Sequence, residues 1–103
     1  MKRIEVEGLP EEPLAAAGLF HQNWLDPIER ALEEGMDVAV LFEPVDYTHD
    51  EWRKAGAAML ARKHAPRRVN FVSGCGQAAD ATAAYLAKAP GVTGQYLKAG
   101  SCV

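Results

Sequence analysis

The chain is poor in the side chains that bind metals. It has 103 residues, of which two are cysteines and three are histidines. Neither cysteine belongs to a C-x2-C pair, and the histidines show no ligand spacing to either cysteine. Zinc sites need such clustered ligands, so no metal cofactor is expected.

Long apolar runs are also missing. No stretch approaches the roughly 20 residues that a membrane span needs. The first residues, MKRIEVEGLPEEP, lack the apolar segment of a signal peptide. We therefore expect a cytoplasmic protein that makes no use of a membrane, with Cys75 and Cys102 as free thiols in a reducing compartment.

Acidic residues are scarce in one half of the chain. Residues 52–103 hold one acid, Asp80, and eight bases, a net charge of +7, whereas residues 1–51 hold thirteen acids and three bases, a net charge of −10. The overall charge is −3 and the sequence pI is about 5.5, which argues against nucleic acid as a partner. The contrast predicts an acidic face that meets a basic face, within one chain or between two.

Hydrophobic residues are plentiful, at 49% of the chain, enough for one folded domain over residues 1–103. Their spacing alternates between periods of two and of 3.6 residues, which is typical of βα units. Strands are predicted at residues 2–7, 37–42, 69–73 and 93–98. Helices are predicted at residues 14–25, 27–34, 48–64 and 77–88.

Local signals predict where the helices begin. Asp26 is the expected N-cap of the second helix, with Pro27 at its first position. Thr48 and Glu51 form an expected capping box at the start of the third helix. The stripe of that helix that faces the core is predicted to be Trp52, Ala55, Gly56, Met59, Leu60 and Lys63.

The order of elements, β-α-β-α-β-α-β, predicts an α/β fold. Short connections favour right-handed crossovers and a four-stranded, mainly parallel sheet between two helical layers. The expected architecture is therefore a minimal Rossmann-like three-layer sandwich.

Three stretches carry a resemblance to a known family. These are MLARKHAPRRVNFVSG, with Ala65-Pro66 and Arg68-Val69-Asn70, then ATAAYLAKAPGV, then Val92-Thr93-Gly94-Gln95. In this order they resemble the C-terminal half of short-chain dehydrogenase/reductases over about residues 37–98. Residues 1–36 form a divergent segment with no convincing likeness. The resemblance implies a place in the NAD(P)-binding Rossmann superfamily.

The chain departs from the residues that this resemblance implies for catalysis. The family uses a tyrosine and a lysine four residues apart, but Asp50 lies four residues before Lys54. Counted back from Pro66, the two positions fall on Asp46 and Asp50. The glycine-rich cofactor turn after the first strand is replaced by GLPEEP. We therefore do not expect a working dehydrogenase of this family, and no cofactor is predicted with it.

A glycine turn offers a candidate phosphate site. Gly74, Cys75, Gly76 and Gln77 begin a G-x-G-x-x-A pattern that follows a predicted strand and opens a helix. Backbone N–H groups at such a helix start can cradle a phosphate of NAD(P) or another nucleotide. The acid that usually follows about 20 residues later is missing, and the two glycines also suit a tight βα turn.

Cys75 is the one candidate nucleophile. A helix start lowers the pKa of a thiol and favours the thiolate. A Cys75-dependent enzyme would also need a base, and His49 and His64 are the candidates; the alternative is a small residue in a turn.

A basic cluster is predicted at the end of the third helix. Arg62, Lys63, Arg67 and Arg68 lie close together in the sequence. They complement the helix dipole there, or they form a patch for an anion or for the acidic half of another protomer.

The sequence therefore predicts a non-catalytic Rossmann-like domain that acts by self-association or by binding a protein partner. The alanine-rich helix at 77–88 allows the close approach of a second helix, and a homodimer is expected. The alternatives are a nucleotide- or phosphate-binding module at Gly74–Gln77 and, third, the Cys75-dependent enzyme.

Overall fold

The structure, a computed structural model, describes residues 1–99. Its strands are β1 (Lys2–Val6), β2 (Val38–Phe42), β3 (Val69–Ser73) and β4 (Tyr96–Lys98). Its helices are α1 (Pro13–Asn23), α2 (Leu25–Glu33), α3 (Asp50–His64) and α4 (Gly76–Ala87), with a 3₁₀ turn at Tyr47–His49. No helix within these residues is long and apolar enough to cross a bilayer.

The four strands form one parallel sheet in the order β1-β2-β3-β4. In its register Ile4 lies beside Val40, and Val40 lies beside Phe71. Strands β2 and β3 are buried at every position, because helices cover both faces of a parallel sheet. The prediction of a Rossmann-like α/β sandwich with a parallel four-stranded sheet is confirmed.

Two cores lie on opposite faces of this sheet. Helices α1, α2 and α3 cover one face, where the rings of Phe20, Phe42 and Phe71 lie with centroids 5.0–5.7 Å apart. Helix α4 covers the other face and packs Leu86 against Leu41 and Val72. Side chains alternate along a strand, so neighbours such as Leu41 and Phe42 belong to different cores.

The crossovers do not share one hand. The strand order follows the chain order, but α4 lies on the opposite face from α1, α2 and α3. The β3-α4-β4 connection must therefore have the opposite hand to the two before it. Because β2 and β3 bury apolar side chains on both faces, one helix has to cover the second face. The expectation that all crossovers are right-handed is wrong.

Two helix starts differ from the sequence prediction. The N-cap of α2 is Trp24 rather than Asp26, which lies in the first turn. The capping box is also wrong, since α3 begins at Asp50 without a side-chain cap. Asp46 instead accepts a hydrogen bond from the Thr48 backbone N–H at 3.0 Å and caps the 3₁₀ turn.

The buried stripe of α3 is also rotated from the predicted one. The residues that α3 buries are Arg53, Ala57 and Leu60. Met59, predicted to face the core, is 62% exposed. The guanidinium carbon of Arg53 lies 4.4 Å from the centroid of the Phe42 ring, so a cation–π contact holds this face inward.

Candidate functional site

The glycine turn borders a cavity at the carboxyl ends of β1, β2 and β3. The cavity measures about 230 Å³. This edge is where ligands bind in open parallel sheets, and the first backbone N–H groups of a helix such as α4 have no partner within the helix. The structure thus places Gly74, Cys75 and Gly76 together where the sequence predicts a phosphate site.

The two glycines of the turn are required for different physical reasons. A Cβ built on Gly74 would lie 2.8 Å from the Cβ of Ala99, so Gly74 permits the chain after β4 to pack close to β3. Gly76 has φ +58° with no atom within 4 Å of a Cβ; its backbone conformation, and not a lack of space, requires glycine. Close packing therefore accounts for Gly74, and the tight turn accounts for Gly76.

The charge around this cavity opposes a phosphate. Carboxylate-bearing residues line it on several sides, namely Glu5, Glu7, Glu43 and Asp80. The nearby cation, Arg3, donates to Asp80 at 3.1 Å. Like charges repel each other, so these carboxylates disfavour a pyrophosphate there.

Cys75 is disulfide-bonded in the structure. The expectation of a free thiol at this residue is wrong, and in this state the sulfur cannot act as a thiolate nucleophile. Cys102, the other expected free thiol, lies outside the described residues.

The basic cluster is largely engaged within the chain. Lys63 donates to the Glu29 carboxylate at 2.6 Å, and His64 lies 2.8 Å from the same oxygen. Arg68 donates to Asp37 at 3.2 Å and to the carbonyl oxygens of Leu86 and Ala89 at 2.9 and 2.8 Å, near the end of α4. Arg62 and Arg67 are exposed. Lys63 and Arg68 are thus paired within the chain, and the patch for an anion or a partner stays a prediction.

Asp46 and Asp50, on which the tyrosine and lysine positions fall when counted back from Pro66, are both held by hydrogen bonds. Hydrogen bonds from the side chain and backbone of Thr48 hold the pKa of Asp46 below its usual value. Asp50 accepts from Lys98 at 2.8 Å, and this hydrogen bond raises the pKa of Lys98. Lys54 is exposed on α3.

A buried polar cluster at the start of α3 escaped the sequence prediction. Arg53 and His49 are each only 2% exposed. The Trp52 indole N–H donates to Nδ1 of His49 at 3.0 Å, so Nε2 carries the proton that is donated to the Glu11 carbonyl oxygen at 2.8 Å. The i, i+4, i+7 spacing of Arg53, Ala57 and Leu60 was the signal that could have located the arginine.

The outward face of α3 is a ridge with opposite charges at its two ends. Glu51, Ala55, Ala58 and Arg62 follow one another at helical spacing on the side away from the sheet. A groove of about 360 Å³ separates this ridge from α1, with Leu14 and Trp52 in its lining. Leu14 is 80% exposed, so apolar surface continues from the ridge onto α1.

Within residues 1–99 no group of three or more histidine, cysteine, aspartate or glutamate side chains is arranged to hold a metal ion.

Comparison with known proteins gives one family. A family model described as short chain dehydrogenase-like protein matches residues 4–99. The match includes most of the N-terminal segment, for which the sequence motifs gave no resemblance. No curated protein matches the chain, and no solved structure matches it.

Proposed function

This chain belongs to the short chain dehydrogenase-like protein family, and we propose that it acts by pairing with a second copy through α3 rather than by reducing a substrate. The observation that carries the proposal is the charge order along the exposed ridge of α3. Its acidic end holds Glu51 and its basic end holds Arg62.

A two-fold axis fits this order. When two copies of α3 pack antiparallel, Glu51 of each copy faces Arg62 of the other, and Ala55 faces Ala58. Two-fold interfaces are self-complementary in this way. The alanines leave room for the helix backbones to approach closely, and the two ion pairs fix the register.

Apolar side chains beside the ridge supply contact area. Met59 is 62% exposed and Leu14 is 80% exposed. In the antiparallel arrangement Met59 of one copy reaches the groove beside Leu14 of the other. Exposed apolar side chains of this size around a small-residue ridge are typical of a protein interface.

The exposed face of α4, which the sequence analysis favoured as an interface, is less suited. It presents Ala81, Ala84 and Tyr85 to solvent, with Gln77 and Lys88 at its two ends. An antiparallel pair of α4 helices would set Gln77 against Lys88, without an ion pair. Charge complementarity therefore favours α3.

A charge exchange on α3 tests the proposal. Glu51→Arg and Arg62→Glu should each raise the dimer Kd about tenfold, because each places like charges at two sites of the interface. The double variant should restore the dimer, since it exchanges both partners of each pair. Sedimentation equilibrium measures the three constants.

Matched variants show whether the effect belongs to this face. Ala55→Arg on α3 should give a monomer, whereas Ala84→Arg on α4 and Glu34→Arg after α2 should leave the Kd unchanged. A monomeric wild-type chain at every concentration, or a double variant weaker than both single variants, would contradict pairing through α3.

The alternative function, a phosphate- or nucleotide-binding module at Gly74–Gln77, has the open helix start in its favour and the surrounding carboxylates against it. A thermal-shift titration with NADP⁺ and with inorganic phosphate separates the two. Pairing alone predicts no shift; a shift of several degrees that Gly76→Val abolishes would favour the alternative.

A further inference from the structure

Arg53 carries a positive charge in the interior. It is 2% exposed, and its guanidinium does not deprotonate in proteins. Its Nη1 donates to the Glu43 carbonyl oxygen at 3.3 Å and to the Tyr96 hydroxyl at 3.1 Å. Both acceptors are neutral, and no carboxylate among residues 1–99 lies within ion-pair distance of Arg53.

One edge of this guanidinium still has hydrogen-bonding capacity. The buried Nε has no hydrogen-bond partner, and the hydrogen bonds found among the described residues all use Nη1. Nε and Nη2 form the side edge of the guanidinium, with two parallel N–H groups. That fork matches the two oxygens of a carboxylate, which accepts both hydrogen bonds at once.

Arg53 also lines a small cavity of about 30 Å³. This is about two to three times the space that one water needs, which suits a carboxylate with a short tail but not a nucleotide. Its other walls are largely apolar and come from β1, β2 and the loops that follow them, including Val6, Leu9 and Phe42. The neutral tautomer of His49 on the same wall adds no charge.

The geometry points to this cavity as a binding site for a small monocarboxylate, held on the Nε–Nη2 edge of Arg53. The carboxylate neutralises the buried charge and satisfies the unpartnered Nε–H. Its short apolar tail packs against Leu9 and Val45. Glu43, which also lines the cavity, opposes the anion through its negative charge.

NMR titration of the ¹⁵N-labelled chain with sodium acetate tests the site. The Nε–H signal of Arg53 should move and saturate, while acetamide, neutral and of the same shape, should leave it unmoved. Sodium chloride at the same concentrations controls for ionic strength. Movement that is linear with acetate, or equal with chloride, would show screening or a halide site and would overturn the proposal.

Two substitutions locate the binding. Arg53→Lys keeps the charge but removes the fork and should weaken acetate binding at least about tenfold, as read by the remaining backbone signals of Val45 and His49. Arg30→Lys, at an exposed arginine of α2, is the matched control and should change nothing.

Glu43→Gln keeps the proposal testable if Arg53→Lys does not fold. Removal of the opposing negative charge should strengthen acetate binding several-fold, with no change for acetamide. Unchanged binding in Glu43→Gln, or acetate binding retained in a folded Arg53→Lys chain, would contradict a carboxylate held on Arg53.

Discussion

Single side chains decide how closely the ends of the strands approach. Gly74 is buried where β3 ends, and a Cβ at this residue would meet the Ala99 Cβ at 2.8 Å. Both atoms are fixed to backbone, so neither can move aside without shifting a segment. The glycine is needed for close packing, whatever the turn binds.

Gly74→Ala should lower the free energy of unfolding by about 1–3 kcal/mol, because the added methyl group overpacks this contact. Urea denaturation measures the change. Gly18→Ala is the matched control: Gly18 lies within α1 with no atom within 4 Å of a Cβ, so it should stabilise by about 0.5–1 kcal/mol. A Gly74→Ala chain as stable as the wild type would contradict the close approach.

Asn70 belongs to the motif that resembles the family, and its hydrogen bonds explain why an asparagine is needed there. It is fully buried, its amide donates to the Val92 carbonyl oxygen at 2.9 Å, and its side-chain oxygen accepts from the Gln95 N–H at 3.1 Å. These two bonds satisfy backbone groups of the loop that leads into β4. The motif could be recognised in the sequence, but its partners could not.

At the scale of the element, ion pairs join helices that are distant in sequence. Glu29 of α2 forms an ion pair with Lys63 of α3, and Nε2 of His64 lies 2.8 Å from the same carboxylate oxygen. The hydrogen bond from Lys63 lowers the pKa of Glu29 from its usual value, although partial burial opposes the shift. The same bond raises the pKa of Lys63. The end of α3 is therefore fastened to α2 by charge.

This pair predicts a pH dependence of stability. Because the pKa of Glu29 is lower in the folded chain, its contribution is present above the unfolded pKa and disappears as the pH falls through the folded pKa. Glu29→Gln should therefore have a lower free energy of unfolding than the wild type at neutral pH. The two free energies should converge below about pH 4, where Glu29 becomes protonated. Thermal or urea unfolding across pH measures this.

Glu34→Gln serves as the control, since Glu34 is exposed and has no ion pair within residues 1–99. Its difference from the wild type should stay constant across the same pH range. If the Glu29→Gln chain instead diverged further from the wild type as the pH fell, the favourable pairing of the ionised carboxylate would be refuted.

At the scale of the whole molecule, the acidic and basic halves of the sequence meet inside one chain. Three residues of the acidic half are paired with the basic half: Glu29 with Lys63 and His64, Asp37 with Arg68, and Asp50 with Lys98. Within residues 1–99 Glu51 and Arg62 form no ion pair, so both charges are available for the proposed second copy.

Salt should change the dimer Kd in opposite directions in the wild type and in the Glu51→Arg variant. Raising sodium chloride from about 0.1 M to about 1 M shortens the screening length from roughly 10 Å to roughly 3 Å. Attraction between Glu51 and Arg62 then weakens and the wild-type Kd rises, whereas in Glu51→Arg the repulsion weakens and the Kd falls. Sedimentation equilibrium at both salt concentrations shows the signs, and equal signs would contradict the pairing.

The sequence by itself determined the order of strands and helices along the chain and the α/β class. The run at residues 38–42 is continuous in apolar side chains and becomes a central parallel strand in which every position is buried. The 3.6-residue spacing of apolar residues in the helices and the resemblance around Arg68-Val69-Asn70 are also local features. Together they predicted the Rossmann-like class. These signals act over a few residues, so they can be read without the fold.

Only the tertiary structure decided which face each helix covers and which polar groups enter the interior. The hand of β3-α4-β4 depends on which face of the sheet α1–α3 already occupy, and the burial of Arg53 depends on Phe42, Glu43 and Tyr96 from two strands and a loop. Those partners are 10 to 43 residues away in sequence. A charge is buried only when distant groups surround it, and no local pattern records that.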